Sequence, residues 1–133
     1  MKDRNRIETT YWSNGNRLRE TPYINDKRHG LMVGWYKNGK KFFETPYVNG
    51  RIYGLKIGWY SNGNKYSEIP YVNGQMNGLS IWWNENGNKW DEIPCVNDQI
   101  HGLTIRWDEN GNKLDEIPYK NHLQHGAIIK FKY

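Results

Sequence analysis

Trp59-Tyr60-Ser61-Asn62-Gly63-Asn64-Lys65-Tyr66-Ser67-Glu68-Ile69-Pro70-Tyr71-Val72-Asn73-Gly74-Gln75-Met76-Asn77-Gly78 is a unit that nearly all of the remaining chain copies. Its Asn62-Gly63 pair recurs as Asn14-Gly15, Asn38-Gly39, Asn86-Gly87 and Asn110-Gly111, at a constant interval of 24 residues. Proline keeps the interval at Pro22, Pro46, Pro70, Pro94 and Pro118, with a glutamate two residues before each, from Glu20 to Glu116. Glycine does the same at Gly30, Gly54, Gly78, Gly102 and Gly126. A fixed period of roughly 20–50 residues marks a stacked array, in which each unit buries its apolar surface against its neighbours. The 133 residues hold five units and a terminal half-unit, and the unbroken register leaves no place for a linker. Residues 1–133 are therefore expected to form a single repeat domain.

A mean hydropathy of −1.01 with 36% hydrophobic residues would by itself suggest a chain too polar to fold. The 7 Trp, 10 Tyr and 3 Phe argue the other way, because each ring buries a large area. The expectation is an ordered but thin structure with one or two aromatic rows as its core. Cys95 stands in a column otherwise held by Tyr23, Tyr47, Tyr71 and Tyr119, so it reads as a core position, and one cysteine forms no intrachain disulfide. That usage fits a reducing, intracellular compartment. The first residues lack the apolar run of a signal peptide, and no run approaches the length of a membrane span.

Within each unit, Ile7 to Trp12, Leu31 to Tyr36 and their equivalents alternate and are rich in β-branched and aromatic residues, which reads as a strand. Leu, Val or Ile, and Trp recur at alternate positions and are assigned to one face. Met32, Lys56, Ser80 and Thr104, with Gly34, Gly58, Trp82 and Arg106, are assigned to the other, facing solvent or a partner. Asn-Gly then signals a type I′ hairpin turn, and the returning strand carries Leu18, Phe42, Tyr66, Trp90 or Leu114 as its apolar slot. Proline interrupts that strand in every copy, so a bulge or bend is expected along the proline row, creasing the sheet and bringing the Trp and Tyr columns together. A second turn follows at Asn25-Asp26, Asn49-Gly50, Asn73-Gly74, Asn97-Asp98 and Asn121-His122, all residue types that tolerate left-handed backbone. The whole is an all-β, elongated meander of antiparallel hairpins with about 11 strands, roughly 48 Å long at about 4.8 Å per step.

Charge is unevenly spread. Residues 1–66 carry 13 basic side chains against 5 acidic, and residues 67–133 carry 6 against 9. Either solvated positions have drifted, or the basic half meets an anionic partner such as a lipid surface or nucleic acid. The residues that would do so are Arg17, Arg19, Lys27, Arg28, Lys40 and Lys41, interleaved with Tyr36, Phe42 and Phe43. In this reading Phe42 belongs to the core, leaving Tyr36 and Phe43 to stack. Open edge strands at the two ends offer Ile7, Thr9 and Tyr11, and Ile129 and Phe131, for self-association into a dimer. Lys2, Arg4, Arg6, Lys130 and Lys132 either blunt those edges or flank the contact.

Nothing points to catalysis, a cofactor, a metal or a small-molecule substrate. His29, His101 and His125 share a column with Tyr53 and Asn77, so they read as turn residues rather than zinc ligands. Serines occupy variable columns with no matching His and acid. The five-fold glutamate row reads as structural, paired with Arg17, Lys41, Lys65, Lys89 and Lys113 or with a turn amide.

Asn97-Asp98-Gln99-Ile100-His101-Gly102, His29-Gly30 and Tyr71 to Gly78 resemble the Asn-Gly-x-x-His-Gly core of MORN repeats. The Trp-Tyr-x-Asn-Gly-Asn-Lys stretch is similar to the variant repeats of large DNA viruses of amoebae and of bacterial antitoxin proteins. The resemblance covers essentially the whole chain. It implies stacked antiparallel hairpins and a binding or scaffolding role without catalysis: a protein-interaction module, in the host cytoplasm or virion if viral. Electrostatic binding of anionic lipid or nucleic acid by the basic half is the alternative.

Overall fold

The computed structural model describes residues 4–133. Lys2, named above as an edge charge, lies outside them. All strands belong to one antiparallel sheet of 16 strands, with no helix among the described residues. The first unit contributes β1 (Asn5–Tyr11), β2 (Arg17–Ile24) and β3 (Lys27–Arg28). The same long-long-short order continues through β4 (Gly30–Trp35), β5 (Lys41–Val48) and β6 (Arg51–Ile52), then β7 (Gly54–Trp59), β8 (Lys65–Val72) and β9 (Gln75–Met76). It goes on through β10 (Gly78–Trp83), β11 (Lys89–Val96) and β12 (Gln99–Ile100), then β13 (Gly102–Trp107), β14 (Lys113–Lys120) and β15 (Leu123–Gln124). A short β16 (Ile129–Lys130) pairs with β14 and closes the order. The long strands run side by side in chain order, so every hairpin touches the one before it and the one after it, and the sheet does not close.

The first turn differs from the sequence reading, while the second takes the left-handed backbone expected of it. At Asn14-Gly15, the Gly15 amide donates to Trp12 O and the Trp12 amide to Asn16 O, which makes a three-residue loop. Only the glycine takes positive φ, 85–93° across the five copies. That is a type I turn followed by a left-handed glycine rather than type I′. The second turn is the two-residue one, with both residues at positive φ in every copy, for example Asn25 at 50° and Asp26 at 63°. Gly, Asn and Asp all reach that region at modest cost, which is why these columns vary among them; His122, at 72°, joins them.

The proline row does interrupt the ladder, on one side only. Pro22 pairs directly with Ile7 on β1, while towards the next unit residues 29–32 stand opposite residues 21 and 22. The two extra residues are absorbed where proline has no N–H to give. Pro22 still accepts from the His29 amide, and Gly30, at φ 110°, lies against the proline ring, where a Cβ would come within 3.2 Å of Cγ.

The assignment of faces is reversed. Leu31, Leu55, Leu79 and Leu103 are 42–46% exposed, while Thr21, Met32, Thr45, Ser67, Ile69, Ser80, Cys95, Thr104 and Asp115 on the opposite face are buried. The tryptophan column of Trp35, Trp59, Trp83 and Trp107 and the tyrosine column of Tyr47, Tyr71 and Tyr119 lie on opposite faces, so the expected crease does not bring them together. A single-layer sheet has no second layer to decide which face is core, so apolar alternation cannot choose between them; shielding goes to the face on which side chains crowd. The accessible surface of 8771 Å² compares with about 7,400 Å² for a compact protein of this mass.

The exposed face is held by a repeated trio. Arg17, Lys41, Lys65, Lys89 and Lys113 each bond the glutamate three residues on, as the sequence suggested. Each also stands over an aromatic ring of the following unit: Arg17 4.3 Å from the Trp35 centroid, then Lys41 over Trp59, Lys65 over Trp83, Lys89 over Trp107 and Lys113 over Phe131 at 5.3–5.7 Å. Such contacts contribute about 0.5–1 kcal/mol each at exposed sites.

Gly78→Ala, at φ 120° and with its Cβ 2.9 Å from Pro70 Cγ, is expected to destabilise the chain by about 1–3 kcal/mol. Gly87→Asn, at φ 89° in open space, should cost less than about 1 kcal/mol. Urea midpoints of the two variants check the contrast.

Candidate aromatic lane on the shielded face

In each unit the register slips by one residue just before the last strand position, Tyr11 in the first unit and Trp35, Trp59, Trp83 and Trp107 in the others. Gly34 pairs with Phe43 but Trp35 pairs with Lys41, so Phe42 is the extra residue of a β-bulge. The same slip makes Leu18, Tyr66, Trp90 and Leu114 the extra residues of their strands. A bulge re-aims side chains, and here Phe42 and Phe43 reach the same depression together. The supposed apolar slot is therefore no core: Phe42 is 48% exposed, Tyr66 42% and Trp90 50%.

These rings join others on the shielded face. Tyr36 and Phe42 meet at 4.7 Å with their planes 55° apart. One unit on, Tyr60 and Tyr66 meet edge to face at 5.1 Å, and Tyr66 and Trp82 at 5.2 Å. Gly34 and Gly58 make room: a Cβ on Gly34 would fall 2.3 Å from the Phe43 ring. Tyr36 and Tyr60 are anchored through hydroxyls that donate to the Trp59 and Trp83 carbonyls. A depression of about 380 Å³ floored by Met32, Thr45 and Ile69 and walled by Phe42, Tyr66 and Trp82 runs into a second of about 370 Å³, and Tyr66 and Trp82 line both. The second is bounded by Trp90, Glu85 and Asp91.

Beyond it the face turns polar. Arg106 donates to both carboxylate oxygens of Asp115, from Nε at 2.8 Å and from Nη2. Those bonds hold the buried Asp115 carboxyl below its ordinary range. Burial pushes Asp91 the other way, with Arg106 only partly offsetting it.

The six basic residues singled out in the sequence are not brought together. Arg17 and Lys41 lie on the exposed face in the trios described above, and Lys40 sits at the Asn-Gly edge, bonded to Asn62 O. Lys27 and Arg28 lie at the opposite edge, where Arg28 donates to the Tyr47 hydroxyl at 3.2 Å. Arg19 is on the shielded face opposite Gly34. Of the edge residues, Ile7 and Tyr11 are more than 60% exposed, Thr9 pairs with Glu20, and Phe131 has its amide bonded to Leu114 O and its ring under Lys113. His29, His101 and His122 each accept a backbone N–H at a second turn through Nδ1. Sequence reasoning missed Tyr66, Trp82 and Trp90 as a lane. The signal was there in Phe42-Phe43 and Trp82-Trp83, adjacent aromatic pairs that break the alternation of a regular strand.

Compared with known families, the chain matches the one described as MORN repeat variant over residues 7–25, 28–49, 53–73 and 100–121. A search of curated proteins finds no match. Among the described residues no helix is long and apolar enough to cross a membrane.

Asp115→Asn should lower stability by about 1–2 kcal/mol at neutral pH, the half-exposed Arg106 reducing the effect of the lost ion pair. Because the folded carboxyl titrates below the unfolded one, its contribution is present above the unfolded pKa of about 3.9. It disappears as pH falls through the folded value. Melting temperatures of the two proteins measured from pH 7 to pH 2 should converge at the acid end.

Proposed function

Because the chain belongs to the MORN repeat variant family, we propose that it is a non-enzymatic protein-interaction or scaffold module that also self-associates through a terminal strand. The observation that carries the reading is the unequal finish of the sheet. β1 is seven residues long and, among the described residues, pairs only with β2, whereas β16 contributes two residues. Antiparallel alternation sends the backbone groups of Arg6, Glu8 and Thr10 towards β2 and those of Ile7 and Thr9 outwards. A second copy laid antiparallel on β1 would continue the ladder around a two-fold axis and consume both long edges at once. Dispersal of the six basic residues over two faces and two edges, with Arg17 and Lys41 already engaged, favours this reading over electrostatic capture of lipid or nucleic acid.

Light scattering across a concentration series tests it. The full chain should move from monomer to dimer and do so equally at about 0.5 M salt, where exposed charges are screened. Thr9→Pro removes an outward N–H without touching the β1–β2 ladder and should leave a monomer of unchanged melting temperature. A chain that stays monomeric, or whose association disappears with salt, would count against the proposal.

A further inference from the structure

We infer that the aromatic lane binds a proline-rich segment in polyproline II conformation, lying along the array with a basic residue directed to Glu85 and Asp91. This deepens the interaction-module reading and rests on it. The first ground is spacing. Successive units are two strands apart, about 9.6 Å, and a polyproline II helix completes one turn of three residues in about 9.3 Å. A ligand with proline at every third position therefore meets an equivalent site in each unit it crosses, without stretching.

The second ground is ring geometry. Tyr36 and Phe42 meet at 55°, and Tyr60, Tyr66 and Trp82 meet at 80–88°. These are notches with walls. A sugar ring or a nucleic-acid base stacks on an open flat face, whereas a pyrrolidine ring wedges between walls set at an angle. The rings are also anchored in advance by the Tyr36 and Tyr60 hydroxyl bonds, and the stiff ligand loses little entropy on docking.

The third ground is charge. Arg106 is committed to Asp115 by two hydrogen bonds, and among the described residues neither Asp91 nor Glu85 is in an ion pair. Both border the depression that holds Trp90, one unit beyond the Tyr60–Tyr66 notch. A lysine or arginine three residues past the second proline would arrive there. The same carboxylates repel a phosphate backbone.

Titration of the full chain with a peptide of three Pro-Pro-Ala triplets followed by arginine, which sets a proline three, six and nine residues before the arginine, read by tryptophan fluorescence, tests the inference. Saturable binding is expected, weakened about tenfold or more by Tyr66→Ala and by Trp90→Ala. Replacing the peptide's arginine with glutamine should weaken binding several-fold to the native chain and not to a Glu85→Gln, Asp91→Asn double variant. Inserting one alanine between triplets, which breaks the three-residue register, should abolish it. If Tyr66→Ala fails to melt cooperatively, Trp90→Ala and the peptide variants carry the test. No saturable binding, equal binding of the register-shifted peptide, or a preference for cellohexaose or oligothymidylate would overturn the inference. Self-association through β1 would survive that result, so the two proposals fail separately.

Discussion

From the second hairpin onward, each lends its tryptophan to the cation of the hairpin before it, and that cation is held over the ring by its own unit's glutamate. A 24-residue hairpin has too little apolar surface to fold alone, and a one-layer sheet offers no opposing layer to pack against. What remains is contact between neighbours, repeated at every step. Arg17, Glu20 and Trp35 form the first such joint, and Lys113, Glu116 and Phe131 the last. The phenylalanine at the final position shows that the joint needs a ring face rather than an indole as such.

The joint is reinforced at both margins of the sheet by backbone polarity. Along the Asn-Gly margin, side-chain amides of Asn14, Asn38, Asn62 and Asn88 donate to carbonyls of the next unit's loop. Along the other, the amides of Gly50, Gly74, Asp98 and His122 donate to carbonyls of the preceding short strand. Turn residues thus serve twice, shaping their own hairpin and tying it to its neighbour. This explains why asparagine is so frequent in a folded chain: its amide supplies the donor and its backbone tolerates the turn.

With the joints between hairpins repeated on the exposed face and at the margins, the middle of the shielded face varies between units. Along one row of that face Gly34, Phe43, Gly58, Ser67, Trp82 and Asp91 follow one another from strand to strand. Small residues there open space and large ones fill it, so a surface with an aromatic stretch and a polar stretch is written onto a uniform scaffold. The stretch carrying Trp82, Trp90, Glu85 and Asp91 keeps the strand register of its neighbours while lying outside the four matched segments.

The sequence by itself determined the period, the hairpins and their order, because each follows from spacing along the chain; it offered the glutamate row a cation or a turn amide, and the structure chose the cation. It also supplied the burial of Cys95, through its column. Which face is shielded, where the bulge falls and which Asn-Gly is the two-residue turn were decided only by the tertiary structure. Alternation assigns residues to two faces without saying which one is covered, and the one-residue slip at Phe42, Tyr66 and Trp90 depends on pairing with the strand alongside. For the same reason the basic residues, neighbours in sequence, end on opposite faces and edges, while rings from different hairpins meet in one lane.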